Sequence, residues 1–430
     1  MQTALSPQAA AWTPPDLLPQ QRTAPALRPS RVAALVVILP FIFESFHYIY
    51  DVGPLYALSK AMPILLSPLA IYGLLRYRLP ATGWFLAFGL YAILVTPFLS
   101  ALNFGGTFAM ALAAQTHALP VSYFFSFFVI LWALAPTHRE LTAAVRMLGI
   151  ASVVILAVLW VTVPAAMYHL GDLSKLFVYD EERHYRIYMP LFFITVYVFL
   201  EYREFLQMRR PLNLLWIALS MVALIMFDKE RAAIAGLFAM FLIVALTSQG
   251  RWPRRILVFG VAALIAIPIA YAVADAVGYF TTLPESGSLT ERQLEFDIAQ
   301  HALAQQPSGY FIGLGTVSPL SERTYEDIFG HDISLADIGW FGILYEYGGF
   351  GVALILMLIG QALAYYRRYL AYLRDPLLQA FQDQLWYTLL TSIIYDVMLA
   401  PGEWAASFAL FVYVGRQVGI QAARAGALRR

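Results

Sequence analysis

Long apolar stretches alternate with short polar ones along most of the 430 residues. A helix that crosses a bilayer needs about 20 mostly apolar residues. Segments of that kind run over roughly 32–50, 54–75, 82–100, 118–135, 141–167, 187–202, 212–227, 231–248, 256–277, 339–364, 379–398 and 404–420, a few of them short or broken. The pattern predicts an all-α, polytopic integral membrane protein of about twelve transmembrane helices. Pro40, Pro63, Pro68, Pro97, Pro164 and Pro268 lie inside or near span ends. Prolines are tolerated there when neighbouring helices or polar groups satisfy the freed carbonyls. Residues 1–30 differ: they are rich in Pro, Gln, Ala and Thr, show no periodicity and read as a disordered tail before a transmembrane domain over 31–430. No basic start leads into an apolar core there, so the tail is not a secretory leader. No internal repeat is visible.

Orientation follows from the basic residues, which collect in cytoplasmic loops. With the N-terminus inside, only Lys60, Lys175, Arg183, Arg186, Lys229, Arg231, Arg292 and Arg323 of the 28 Lys and Arg residues fall on the outer side. Both termini are therefore expected in the cytoplasm. Most inner loops are short, and their arginines need no role beyond setting the topology.

The outer loops are richer. YDEERHYRIYMP, Tyr179 to Pro190, sets five charged side chains and a His before a span. FDKERAA, Phe227 to Ala233, places Asp228, Lys229, Glu230 and Arg231 between two spans with almost no loop. The segment 278–338 is long enough to carry its own structure. Within it, Ser288 and Glu291 fit a capping box. Leu289, Leu294, Ile298 and Leu303 then predict an amphipathic helix ended by Pro307 and Gly309. The stretch HDISLADIGWFGILYEYGGFG, His331 to Gly351, turns from ionisable to apolar at the mouth of a span and carries Glu346 inside it.

Composition narrows the chemistry. The chain is 60% hydrophobic and 13% charged, against about half and a quarter in soluble domains, with a mean hydropathy of +0.66. A net charge of +1 argues against a nucleic-acid partner. The absence of cysteine excludes disulfides, thiol nucleophiles and thiolate metal sites. Cations on an outer face run against the insertion bias. One reading pairs them with neighbouring acids, Lys229 and Arg231 with Asp228 and Glu230, Arg183 and Arg186 with Glu181 and Glu182. The other is an anionic ligand, since the planar guanidinium fork matches phosphate oxygens. Asp337 also suits a helix N-cap, and His331 an ordinary loop position.

Taken in order, these segments resemble the O-antigen ligase and polysaccharide polymerase superfamily of bacterial envelopes. Arg231 in a short charged turn between spans is similar to that group's Ser-Arg turn, although FDKERA departs from it. QQPSGYFIGLGT resembles its Pro followed by Gly-x-Gly, inside a large periplasmic loop. ADIGWFGILYEYGGFG resembles the motif that closes that loop, with Glu346, Gly348 and Gly351 at the group's spacing. The close likeness spans roughly Tyr179 to Gly360. Where ligases carry His-Asn, this chain has Asp337-Ile338, which resembles the polymerase branch.

The resemblance implies a glycosyl transfer at the periplasmic face of the bacterial inner membrane. It joins polyprenyl-diphosphate-linked oligosaccharide repeat units into exopolysaccharide or O-antigen, with no metal, nucleotide or other cofactor. Arg186, Arg231 and Arg292, with Arg183 and Lys229, would hold the diphosphate. Asp337, with His331 second, would take the acceptor proton. The lipid bilayer, a chain-length regulator and other polysaccharide export proteins are the implied partners. The alternatives are a ligase that moves finished glycan to a lipid acceptor and, from another class, a polysaccharide-related transporter.

Overall fold

The computed structural model describes residues 27–47, 49–170, 175–180, 184–247, 287–318, 320–321, 323–331 and 333–427. The expected span 256–277, most of the tail, Arg183 and the side chain of Ser288 lie outside these residues. Helices α1 (Pro29–Ile42), α2 (Gly53–Arg76), α3 (Thr82–Phe104), α4 (Phe108–Leu134) and α5 (His138–Thr162) come first. A small sheet of β1 (His169–Leu170), β2 (Phe177–Asp180) and β3 (His184–Ile187) follows, then α6 (Phe192–Met208), α7 (Pro211–Asp228) and α8 (Arg231–Thr247). The later part holds α9 (Gly287–Gln305), the short helices α10 (Gly309–Ile312) and α11 (Tyr325–Phe329), and the long helices α12 (Trp340–Tyr369), α13 (Pro376–Thr391) and α14 (Pro401–Ala427).

Among the described residues, α2, α3, α4, α5, α7 and α12 are long and apolar enough to cross a membrane, and α1 and α8 are shorter apolar helices. Every expected apolar segment outside 256–277 coincides with a helix. The all-α expectation needs one correction. FVYD and HYRI carry aromatic and β-branched residues, which suits strands. β2 pairs in parallel with β1 and antiparallel with β3. The helix expected from position 187 instead starts at Phe192, beyond Pro190, because the residue before a proline disfavours the helical region.

Helix α6 is the axis of the packing. Every side chain from Phe192 to Tyr202 is buried, as befits a helix apolar on all faces. It packs against α5, α7 and α13. A Cβ on Gly149 of α5 would strike Tyr197 of α6, so this glycine sets how closely the two helices approach. One end of these helices is tied by ion pairs. Arg203 grips Asp383 of α13 through two bonds of 2.6 Å, and Arg146 reaches Glu201 at 2.9 Å and Glu204 at 2.7 Å. The other end carries α9 to α11 and the sheet, and is called here the loop end.

Candidate functional site

At the loop end, residues from five separate segments meet. Position along β3 decides the first. The strand is exposed at His184 and Tyr185 and buried at Arg186 and Ile187, and Arg186 pairs across the sheet with Val178, itself buried. The Arg186 guanidinium rests over the Tyr188 ring at 5.1 Å and meets Glu230 Oε2 at 3.2 Å. Its Nε is buried with no hydrogen-bond partner among the described residues. Burial pushes the Tyr188 hydroxyl up to about 12.

Glu230 is delivered by the turn between α7 and α8. The π-helical turn Leu224–Asp228 ends α7, and Lys229 takes a left-handed conformation with φ of 60°. That reversal points Glu230 back at the site, where its carboxylate accepts a bond from the Tyr395 hydroxyl. The Tyr395 ring in turn lies under the Arg292 guanidinium, 5.3 Å from its carbon. Arg292 Nη2 stands 3.6 Å from Asp337 Oδ1. At that separation the charges attract without a direct hydrogen bond, which leaves room for a further oxygen. Arg292 and Asp337 remain partly exposed, whereas the Arg186 side chain is 3% exposed.

Asp337 sits in the 3-10 turn Leu335–Ile338. It is not the N-cap of α12: Gly339 takes that position, with φ of 54°, and no side chain caps the helix. Instead the Asp337 turn is pinned to the segment between α13 and α14. The Asp396 N–H donates to the Ala336 carbonyl at 2.9 Å, and the Trp340 indole donates to Ser392 Oγ at 2.7 Å. A Cβ on Gly339 would crowd the carbonyls of Ser392 and Ile393. Helix α9 supports the turn from the other side, where the Ser334 N–H donates to Glu295 Oε1 at 3.0 Å. Burial raises the Glu295 carboxyl above its ordinary value, and the Ser334 bond opposes this. The inward face of α9 is Glu295, Ala299, Ala302 and Leu303, while Leu294 is exposed. The amphipathic face expected from the leucines is therefore rotated, because small alanines let the helix dock closely against Leu314 and Tyr345.

The two glycine motifs of the loop meet as well. Helix α12 is broken at Gly348, with φ of 64° and ψ of 178°. The carbonyls freed by the break accept from the Gly-x-Gly loop, Leu314 N–H to Tyr345 at 2.7 Å and Gly315 N–H to Glu346 at 3.1 Å. A Cβ on Gly313 or Gly348 would strike the other strand of this contact. Glu346 is buried beneath it. Its partners are Gln115 Nε2 at 2.6 Å and His117 Nε2 at 3.6 Å.

Of the expected site residues, Arg186, Arg292 and Asp337 are thus joined through Glu230 and Tyr395. Arg231 opens α8 beside Glu230 and is half-buried. Lys229 lies over the Trp160 ring at 5.5 Å. His331 follows α11, half-buried, and none of the bonds that build the network involves it. Tyr395 was not singled out in the sequence, although Asp396 beside it, an ionisable residue in an apolar stretch, is a signal that could have found it. Among the described residues no three His, Asp or Glu side chains converge as a metal-ligand set. No protein-family model matches the chain, and no curated protein matches it either.

Proposed function

We propose that the chain is a membrane glycosyltransferase that polymerises oligosaccharide repeat units carried on a polyprenyl diphosphate. The observation that carries the reading is the run of contacts that links Arg186, through Glu230 and Tyr395, to Arg292 and the Asp337 carboxylate. In this reading the chain has the twelve-span topology with both termini inside. The loop end then faces the periplasm from the bacterial inner membrane.

The chemistry suits the groups. A hydroxyl oxygen of the acceptor sugar attacks the anomeric carbon of the donor. The bond from that carbon to the diphosphate breaks, and the lipid diphosphate leaves with the electron pair. Its growing negative charge is met by Arg292 and, deeper, by Arg186, whose Nε still has a donor to give. Such fixed charges stabilise the transition state more than the ground state. Asp337 takes the proton of the attacking hydroxyl, a step worth roughly 10²–10⁴-fold in rate. Arg292 Nη2 stands 3.6 Å from Asp337 Oδ1, beside the carboxylate given this role.

The test is to extract and size the lipid-linked glycans of a strain lacking the protein, beside strains complemented with wild type or Asp337→Asn. Single repeat units on the lipid in the deletion and the Asn strain, with long polymer only in the wild type, are expected. Long polymer stranded on the lipid points to the ligase instead. Unchanged polymer in the deletion overturns both and leaves the transporter.

A further inference from the structure

A cavity of about 140 Å³ opens between the start of α6, the end of α13 and the turn that leads into α14. This is about ten times the ~10–15 Å³ that one water needs, so the space suits a small molecule. Its polar lining includes Thr195, Gln384, Thr388, Tyr395, Asp396 and Glu403. The rings of Phe192 and Tyr387 supply apolar wall. No Lys, Arg or His lines it among the described residues, so it is no place for a diphosphate.

Its position is as informative as its lining. Tyr395 belongs both to the cavity wall and to the ionic network, where its ring supports Arg292 and its hydroxyl bonds Glu230. Asp396 donates its backbone N–H to Ala336, the residue before Asp337, so the cavity abuts the turn that carries the carboxylate. Ser392, also in the wall, fixes Trp340 at the other side of that turn. The lining thus offers carboxylate, amide and hydroxyl groups with aromatic surface, next to the Asp337 turn and with no cation in its wall among the described residues.

We infer that this cavity is the acceptor subsite, which holds the terminal sugar ring whose hydroxyl attacks the donor. The inference rests on the glycosyl-transfer reading above and divides that site in two. Arg186 and Arg292 take the anionic donor head. Asp396, Glu403 and Gln384 accept or donate hydrogen bonds to the hydroxyls of an uncharged ring, with Phe192 and Tyr387 against its apolar face.

The test uses the full-length protein in lipid nanodiscs. The donor is the lipid-linked repeat unit that accumulates in the deletion strain. The acceptor probe is the same oligosaccharide released from its lipid by mild acid, which lacks the diphosphate and can only accept. Thr388→Phe, which fills the cavity, and Asp396→Asn are expected to raise KM for the released oligosaccharide at least tenfold. KM for the lipid-linked donor should stay within twofold. Should either variant fold poorly, Thr388→Cys provides the same test in a chain otherwise free of cysteine. It is folded first and then blocked with a bulky thiol reagent, and the same split between the two KM values is expected. Both KM values moving together, or neither moving in a folded active protein, overturns the subsite and leaves the glycosyl-transfer reading standing. No lipid-linked unit in the deletion strain, or no elongation by wild type, overturns that reading and the subsite with it.

Discussion

At the residue scale, function is proposed to rest on a few side chains whose surroundings set their roles. Asp337→Asn keeps the shape of the turn but removes the carboxylate paired with Arg292. It should lower transfer at least about 10²-fold, measured as repeat units joined per unit of purified protein, with the protein still monodisperse. Retained activity would remove Asp337 from the mechanism. Tyr395→Phe is a subtler change: the ring still lies under Arg292, but the bond to Glu230 is lost. A hydrogen bond to a charged group contributes about 1.5–3 kcal/mol, so a drop of roughly tenfold or more in kcat/KM is expected for the donor. No change would mean that Glu230 holds Arg186 without help. The sequence pointed to Arg186, Arg292 and Asp337 because charge on an apolar chain is conspicuous. It ranked Arg231 with them and kept Lys229 and His331 as second choices, because spacing alone does not show which way a turn aims its side chains.

Among the elements, α12 and its partner loop show how two weak motifs become one structure. The break at Gly348 frees carbonyls that the Gly-x-Gly loop then satisfies, and buried polar groups must find such partners. Gly348→Ala places a Cβ against the backbone of Ile312 and Gly313, at a φ that alanine resists. The expected cost is more than about 1 kcal/mol, read as a lower thermal unfolding midpoint in detergent. An unchanged midpoint would mean the break is not held by this contact. The ion pair between α6 and α13 is a second joint. Arg203 and Asp383 are largely buried, so Arg203→Met leaves an uncompensated carboxylate and should cost about 3–5 kcal/mol. Adding Asp383→Leu should recover most of that loss; a double variant as unstable as the single one would show the pair to be stabilising in itself. From the sequence, Arg203 had only a topological meaning, because the partner that explains it lies 180 residues away.

For the whole molecule, the arrangement separates two ionic ends of one helical bundle. The end with Arg146, Arg203 and their acids is ordered by tight pairs, while the loop end holds the longer and more open Arg292–Asp337 contact. The proposed orientation sets the loop end outside. A chain without cysteine makes this directly testable with single replacements at exposed sites. Ser308→Cys, after α9, should react with a membrane-impermeant maleimide added to intact spheroplasts. Gln207→Cys, at the far end of α6, should react only after the membrane is opened. The reverse pattern would invert the topology and place the network in the cytoplasm.

The sequence by itself determined that the chain is a bundle of apolar helices. Hydrophobic length and periodicity are local properties, and burial of the backbone in such a chain leaves the helix as the main way to satisfy its polar groups. It also marked the segments where charge gathers. Only the tertiary structure decided that Arg186 turns inward from a strand, and that Tyr395 bridges Glu230 and Arg292. It alone seated the Gly-x-Gly loop in the break of α12. Each of these depends on contacts between residues far apart in the chain, and such contacts are chosen by how the helices pack together.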